Sequence, residues 1–318
     1  MTWLTLGYIF PAQSAVVMDR NQAQIPSMMV NKGGSVTINI NAASAGGVSH
    51  NKFTQFDVTK QGLTLNNNST AAAVDSQISG GKIKTNNKLS GISASLIINE
   101  VTSNRVSQLN GKIEVAGKKA DVIIANPAGI TCNGCGFINT KRGTLTTGTP
   151  NVVNGYFTGI NVQKGKIIIT GQGMEDKSDY TNILANALQV DANLKAEKEL
   201  QVMTDSNTNI TTINNQLAAT GTPGSPSQIV GIDVSSLGGM YANKITLISG
   251  NGLNNKHFIS ATTHLDINTA GNLINTGTLQ TEKNGDINLV AKDINNAQGW
   301  IISDGNTNMM SETSVNNS

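Results

Sequence analysis

The sequence predicts an all-β protein wound as a parallel β-helix, and three observations carry that expectation. Apolar positions near the C-terminal end recur at a spacing of 20 residues: Leu247, Ile267 and Ile287, then Ile245 and Leu265, Leu253 and Leu273, Ile259 and Leu279, Ile274 and Ile294. A fixed period of that length marks a solenoid, in which each coil buries its apolar face on the next. Short runs such as Leu63-Thr64-Leu65, Lys112-Ile113-Glu114-Val115 and Asp286-Ile287-Asn288-Leu289 alternate with the two-residue period of strands. Composition agrees. Charged residues are 13% of the chain, about half the usual share, and aromatics 4%. Asn, Thr, Ser and Gly fill the remainder beside Val, Ile and Leu, a mixture suited to strands joined by tight turns, with Asn side chains able to bond from rung to rung.

Taken in order, residues 1–15 read as the end of a signal peptide. Trp3, Leu4, Leu6, Tyr8, Ile9 and Phe10 form a short apolar core, and Pro11-Ala12-Gln13-Ser14-Ala15 supplies small residues for cleavage. The first basic residue is Arg20, so the true start is expected upstream; the alternative is a mature apolar cap strand. No other apolar run approaches the roughly 18 residues of a membrane-spanning helix. Turns are expected at Asn133-Gly134, Asn154-Gly155, Asn251-Gly252 and Asn284-Gly285. The stretch from Asp205 to Gln228, with Gly221, Pro223, Gly224 and Pro226, loses the period and is expected as a surface excursion. The tail from Asp304 to Ser318 is polar and lacks an obvious cap, which is expected of the N-terminal piece of a longer exported chain or of a truncated gene product. Net charge is +2 with no dense Lys/Arg run, so neither nucleic-acid nor membrane-surface binding is expected.

The most informative stretch runs from Asn126 to Thr140: Asn126-Pro127-Ala128-Gly129-Ile130, then Thr131-Cys132-Asn133-Gly134-Cys135-Gly136-Phe137-Ile138-Asn139-Thr140. It resembles the Asn-Pro-Asn-Gly-Ile motif and following Cys-x-x-Cys of the secretion domain of two-partner secretion exoproteins, the filamentous haemagglutinins, haemolysins and contact-dependent growth-inhibition proteins. Further blocks resemble the same family in the same order: Val48 to Val58 with Ser49-His50-Asn51, Ala94 to Val101, and Ile232 to Ile245. Two positions depart from the pattern. Ala128 replaces the second Asn of the signature, and Asn86-Asn87-Lys88-Leu89 stands where many members have Asn-Pro-Asn-Leu.

The resemblance implies a right-handed parallel β-helix with an N-terminal cap and side hairpins. It also implies export through the periplasm and outer membrane of a Gram-negative bacterium by a dedicated outer-membrane transporter. The target cell surface would be met by a C-terminal part not contained in this sequence. Asn126, Pro127, Ala128, Gly129 and Ile130 are then the secretion motif, and Asn86, Asn87, Lys88 and Leu89 a second candidate. The expected organisation is a signal peptide at 1–15, a secretion domain at 16–250 and the first stalk coils at 251–318.

In the turn itself, Pro127 fixes φ, Asn126 bonds forward to the backbone and Gly129 relieves the exit. Read as a turn, the motif serves folding; read through the resemblance, it serves secretion. For Cys132 and Cys135, zinc would need further ligands, and His50, His257 and His264 are scattered. A thioredoxin-like site would need a helix after the pair, whereas Gly136-Phe137-Ile138-Asn139 continues as turn and strand. A local disulfide that fixes a tight bend is the simpler reading in an exported protein. No metal or cofactor is expected.

The competing class is a β-helical polysaccharide lyase or hydrolase, which would use clustered carboxylates. Asp233, Asp266, Asp286 and Asp293 lie in strand-rich regions, and Asp266 and Asp286, one period apart, are expected as neighbours across coils. Few aromatics remain to stack sugar rings, so an enzyme is not the reading adopted. A self-transporting adhesin would need amphipathic barrel strands with aromatic girdles in its last hundred residues. That region follows the solenoid period instead.

Overall fold

Alternating apolar residues at a fixed period can bury themselves only by stacking coil on coil, and the chain does so. The structure, a computed structural model, describes residues 16–205, 208–213, 216–220 and 230–318. The expected signal peptide at 1–15 and the prolines of the 205–228 excursion lie outside these residues. Parallel strands wind into one continuous 22-stranded sheet that forms a β-helix. The column Ile124, Leu145, Ile183, Val202, Leu247, Ile267 and Leu289 runs through its core, each residue in register with the next. All of these side chains are buried.

At the N-terminal end, Val16–Met18 pairs antiparallel with Val48–Phe56, closing the first coil. Beside it lies a five-stranded cap sheet in the order Gly136–Ile138, Lys112–Gly117, Leu63–Asn67, Val36–Asn39, Ser27–Val30. Only the Ser27–Val30 strand joins this sheet antiparallel. A short 3-10 turn occupies Asn87–Leu89.

A second sheet lies outside the helix. Thr149–Val153, Tyr156–Val162, Thr208–Ile213 and Gln216–Thr220 form an antiparallel four-stranded sheet, so the 205–228 excursion contains a hairpin. Its Ile160, Val162 and Ile210 pack on Ile98, Ile123, Leu184 and Met203 from the outer face of the coils, making a second apolar core. Such strands are buried on both faces, which explains the unbroken apolar run Val122-Ile123-Ile124.

Along the later coils polar side chains stack as well. Asn255 donates to Asn275 Oδ1 (2.8 Å), Asn275 to Asn296 Oδ1 (2.6 Å) and Asn296 to Asn317 Oδ1 (2.6 Å). Each amide thus satisfies its neighbour one rung away, with Asn255 and Asn275 wholly inside the protein.

The 20-residue period holds for Leu247/Ile267, Ile245/Leu265, Leu253/Leu273 and Ile259/Leu279. It fails for Ile267/Ile287 and Ile274/Ile294. Ile287 faces Leu265, Ile267 faces Leu289, and Ile294 faces Leu273 while Ile274 is exposed. The cause is a wider turn. Ala261 pairs with Thr281 and His264 with Asp286, so the turn at Glu282–Gly285 holds two more residues than the one below it. Lys283 and Asn284 adopt φ of 51° and 58° there. The same shift separates Asp266 from Asp286. Asp266 faces Asn288, whose amide donates to it at 2.8 Å, and Asp286 accepts the Asn306 N–H at 2.7 Å. The expected carboxylate pair does not form.

The tail from 304 is a strand, Thr307–Asn316, laid on Asp286–Asn295, with Met309, Met310 and Val315 exposed on it.

This register makes a sharp distinction between adjacent positions. Ile267→Asp places an unpaired carboxylate between Leu247 and Leu289 and is expected to cost about 3 kcal/mol or more. Asn268→Asp, on an exposed position, should change stability by no more than about 0.5 kcal/mol. Thermal unfolding of the two variants checks it; equal shifts would contradict the register.

Candidate functional site

The secretion-type signature sits where one coil turns between the strands Ala120–Ala125 and Ile130–Cys132. Asn126 is wholly buried, and every polar group it carries is engaged. Its N–H donates to Thr146 O of the coil above (2.9 Å). Its Nδ2 donates to Arg105 O (2.8 Å) and Ser107 Oγ (2.9 Å) of the coil below. Its Oδ1 accepts the Ala128 N–H (2.9 Å), and its carbonyl accepts the Gly129 N–H (3.0 Å). The side chain thereby closes the turn onto the coil below, and the backbone N–H adds the coil above, so that one residue touches three successive coils.

The second candidate, 86–89, repeats this arrangement in the cap. Asn86 donates its N–H to Asn68 O (2.8 Å) and its Nδ2 to Ile40 O (2.9 Å) and Asn66 O (3.0 Å). Its Oδ1 accepts the Lys88 N–H (3.1 Å), and its carbonyl accepts the Leu89 N–H (3.0 Å). The two asparagines close their turns with the same pair of bonds and each spends its Nδ2 on two acceptors, but Asn86 reaches only earlier segments of the chain, whereas the Asn126 N–H also reaches the following coil. The absent Pro at Asn87 does not prevent the turn, because the 3-10 helix supplies the φ that Pro would fix and Ser90 takes the left-handed exit at φ 48°. Leu89 packs into the core, while Asn87 and Lys88 face solvent.

Ala128 is tolerated for a similar reason. It does not take positive φ, the conformation for which an Asn is favoured at this turn position, and its side chain is half-buried. Gly129 cannot be replaced so easily: its φ is +125°, and a Cβ would meet Lys166 O at 3.1 Å. Among the motif residues only Pro127 and Ala128 reach the surface appreciably.

Past the turn, Cys132 and Cys135 are joined as a disulfide and both are buried. The loop between them is pinned from outside. Asn133 Oδ1 accepts the Gln172 N–H (2.8 Å), and the Gly134 N–H donates to Gly173 O (2.7 Å). Lys112 Nζ donates to Cys135 O (3.0 Å) and Glu175 O (2.5 Å), and burial lowers the Lys112 pKa from its ordinary value. Gly136 follows at φ +151°, where a Cβ would strike Glu175 O at 2.0 Å. Phe137 then enters the core, its N–H donating to Asp176 (3.3 Å). Burial raises the Asp176 pKa, opposed by hydrogen bonds from Thr181 (2.7 Å) and Ser178 (2.9 Å).

Sequence reading missed the receiving side of both clasps: Ser107, Arg105, Ile40 and the run Asn66-Asn67-Asn68. That run was the available signal, since consecutive buried asparagines within a strand imply a hydrogen-bonded network. Asn67, for example, donates to Ala94 O (2.9 Å) and Lys118 O (2.8 Å). The three histidines stay apart. His50 meets Glu100 at 2.7 Å, His257 packs edge-on to Phe258, and His264 faces Asp286 in the register. Among the described residues no cluster of His, Cys, Asp and Glu is arranged to hold a metal.

Comparison with known proteins identifies what these turns belong to. A family model described as the TPS secretion domain matches residues 14–275. A protein named Toxin CdiA from Yersinia pestis is 40% identical over 312 residues, covering 96% of this chain and 9% of its own length. The tRNA nuclease CdiA-2 of Burkholderia pseudomallei (strain 1026b) is 43% identical over 232 residues, 71% of this chain and 7% of that protein. The chain therefore spans less than a tenth of the length of these relatives. Among solved structures, the filamentous hemagglutinin secretion domain superposes with a TM-score of 0.71 at 28% identity, covering 95% of this chain and 98% of that one. The HMW1 secretion domain from Haemophilus influenzae shares the fold, with a TM-score of 0.61 at 17% identity over 91% of this chain and 72% of its own.

Two consequences are measurable. Asn126→Ala leaves buried donors and acceptors unmet and should cost about 2–4 kcal/mol, whereas Ala128→Asn should stay within about 0.5 kcal/mol. Chemical denaturation of both variants decides. Secreted protein treated with an alkylating agent should show Cys132 and Cys135 protected until reduction; two freely alkylated thiols would rule out the bond outside the cell.

Proposed function

Because this chain belongs to the two-partner secretion (TPS) domain family, we propose that it is the secretion module of a much longer exported protein. A partner outer-membrane transporter recognises it on the periplasmic side and passes it to the outside of a Gram-negative cell. There the cap forms a finished surface on which later coils fold in sequence. The observation that carries this reading is the pair of equivalent asparagine clasps at Asn86 and Asn126, which fix the first coils in register. Each following coil has a preformed row of strand edges and apolar side chains to build on. Burying a Leu or Ile in a new rung contributes about 1.5–3 kcal/mol, so coil-by-coil folding outside the membrane gives outward movement a direction without a nucleotide.

In this proposal the module is a scaffold and not an enzyme, and it uses no cofactor. Supporting that, three of the four candidate carboxylates are tied into the rung structure, Asp266 to Asn288, Asp286 to Asn306, and Asp293 to Ser314 (2.8 Å) and Thr313, while Asp233 stands 3.8 Å from Lys256 Nζ. Adhesion, cytolysis or toxin delivery, and the meeting with a target cell surface, belong to segments outside this chain. Similarity to proteins named toxin and tRNA nuclease favours toxin delivery.

The test is the share of protein in medium and periplasm, with and without the transporter. Deleting 126–130 should trap the protein inside the cell even when the transporter is present. Replacing Asp266 and Asp286 by Ala should leave export unchanged. Transporter-independent release of the wild type, or normal export of the deletion, would overturn the proposal. Loss of a polysaccharide-cleaving activity in the Asp double variant would favour a catalytic β-helix instead.

A further inference from the structure

The cap sheet ends on a strand, Ser27–Val30, whose outer edge meets no other strand among the described residues. Its inner edge is used up. The Asn31 N–H donates to Ser35 O at 2.8 Å, which marks Asn31/Ser35 as a hydrogen-bonded antiparallel pair. Such pairs alternate, so Met29/Thr37 and Ser27/Asn39 are of the same kind, and Met28 and Val30 turn their N–H and C=O groups outward. The side chains are uncovered too: Met28, Met29 and Val30 are 41%, 55% and 54% exposed, and Ile25 just before them 37%.

Soluble proteins usually blunt a free edge with a charge, an internal proline or a bulge. This strand is short and follows Pro26, but within it there is no charge, proline or bulge: Ser27-Met28-Met29-Val30 is uncharged and its pairing runs without a register shift. It also lies beside the cap clasp. Lys88 Nζ, from the second candidate motif, donates to Ile25 O at 2.9 Å, and Asn41 Nδ2 donates to Gln24 O at 3.2 Å.

We propose that the outward edge of Ser27–Val30 is where the partner transporter docks, adding a strand from its periplasmic region to the cap sheet. This rests on the secretion reading above and specifies the surface it uses. Main-chain bonds to Met28 and Val30 supply the attachment, and the flexible methionines fill whatever apolar hollows the incoming strand presents. The size of the edge selects this occupant over a second copy of the chain. A strand of four residues buries far less than the roughly 1,000 Å² of a stable interface, but a short-lived contact suits a transporter that must release its cargo. The hairpin is also local. It closes through the turn in which the Gly34 N–H donates to Asn31 O (2.9 Å), and its pairing involves only residues 27–39, so it needs no stacked coil to define its register.

The experiment uses the full exoprotein co-expressed with the outer-membrane transporter encoded with it. Met28→Pro deletes one outward N–H and spares the bonds that Met29 makes inward; Val30→Lys adds the missing guard charge. Each should lower the exported share about tenfold while thermal unfolding of the chain stays unchanged. If the proline variant unfolds, the lysine variant carries the test. A photo-crosslinking residue at Met29 should link to the transporter during export. Normal export of both variants, or a crosslink only to a second copy of the chain, overturns the docking edge and leaves the secretion reading standing if release still requires the transporter. Release of the wild type without the transporter sinks both.

Discussion

A buried amide with an unmet donor or acceptor costs about 1–3 kcal/mol, so a wholly enclosed asparagine tolerates only one arrangement of its surroundings. Asn126 is such a residue, and its arrangement spans three coils. The coil below must present Arg105 O and Ser107 Oγ, and the coil above Thr146 O. A coil displaced by one residue would offer neither, and in a strand that slip would also turn the apolar face outward. The clasp therefore fixes register at the point where stacking begins, and Asn86 ties the cap segments at Ile40, Asn66 and Asn68 by the same chemistry. Beyond them the ladder Asn255–Asn275–Asn296–Asn317 carries register onward by the same chemistry.

The first and later coils differ in what covers their outer face. Ile98, Ile123, Leu184 and Met203 lie under the antiparallel outer sheet, while further along the Ile98/Ile123 column Thr246, Asp266, Asn288 and Asn308 are polar, and the Leu184/Met203 column continues through Ile248 and Asn268 to the exposed Val290 and Met310. The early part is a thick, doubly packed block; among the described residues the later coils carry no second apolar layer. That contrast fits a domain whose beginning must hold its shape without a preceding coil. The disulfide contributes at most about 2 kcal/mol through chain entropy, so its larger effect is local. It holds the bend at Asn133-Gly134 against Gln172 and Gly173 of the next coil.

Much of this was readable in the residues. The period, the alternating runs and the signature led to a β-helix, and the pairs Leu247/Ile267 and Leu253/Leu273 fall where the spacing puts them. The columns assigned to Ile287 and Ile294 do not, because a fixed period cannot anticipate a turn widened by Lys283 and Asn284. The outer sheet escaped notice for another reason. Ile98 and Ile123 break the two-residue alternation, and a run apolar on both faces does not say what lies on the second. At the candidate site, Asn126 was legible through its proline and glycine neighbours. The equivalence of Asn86 was not, since it resides in hydrogen bonds to Ile40 and Asn66, distant in sequence. The free edge at Ser27–Val30 was equally hidden, as an unpaired strand is defined by the neighbour it lacks.

In the proposed function the signature turns act in export by holding the cap together. The direct measurement is the exported share of a series of cap variants, among them Asn86→Asp, Asn126→Asp, Ala128→Lys and Asn67→Ala, set against the unfolding free energy of each. One falling curve is expected, with Ala128→Lys near the wild type on both axes and the buried asparagine variants low on both. Loss of export in Ala128→Lys at unchanged stability would contradict it, and would make the exposed face of the turn the recognised feature.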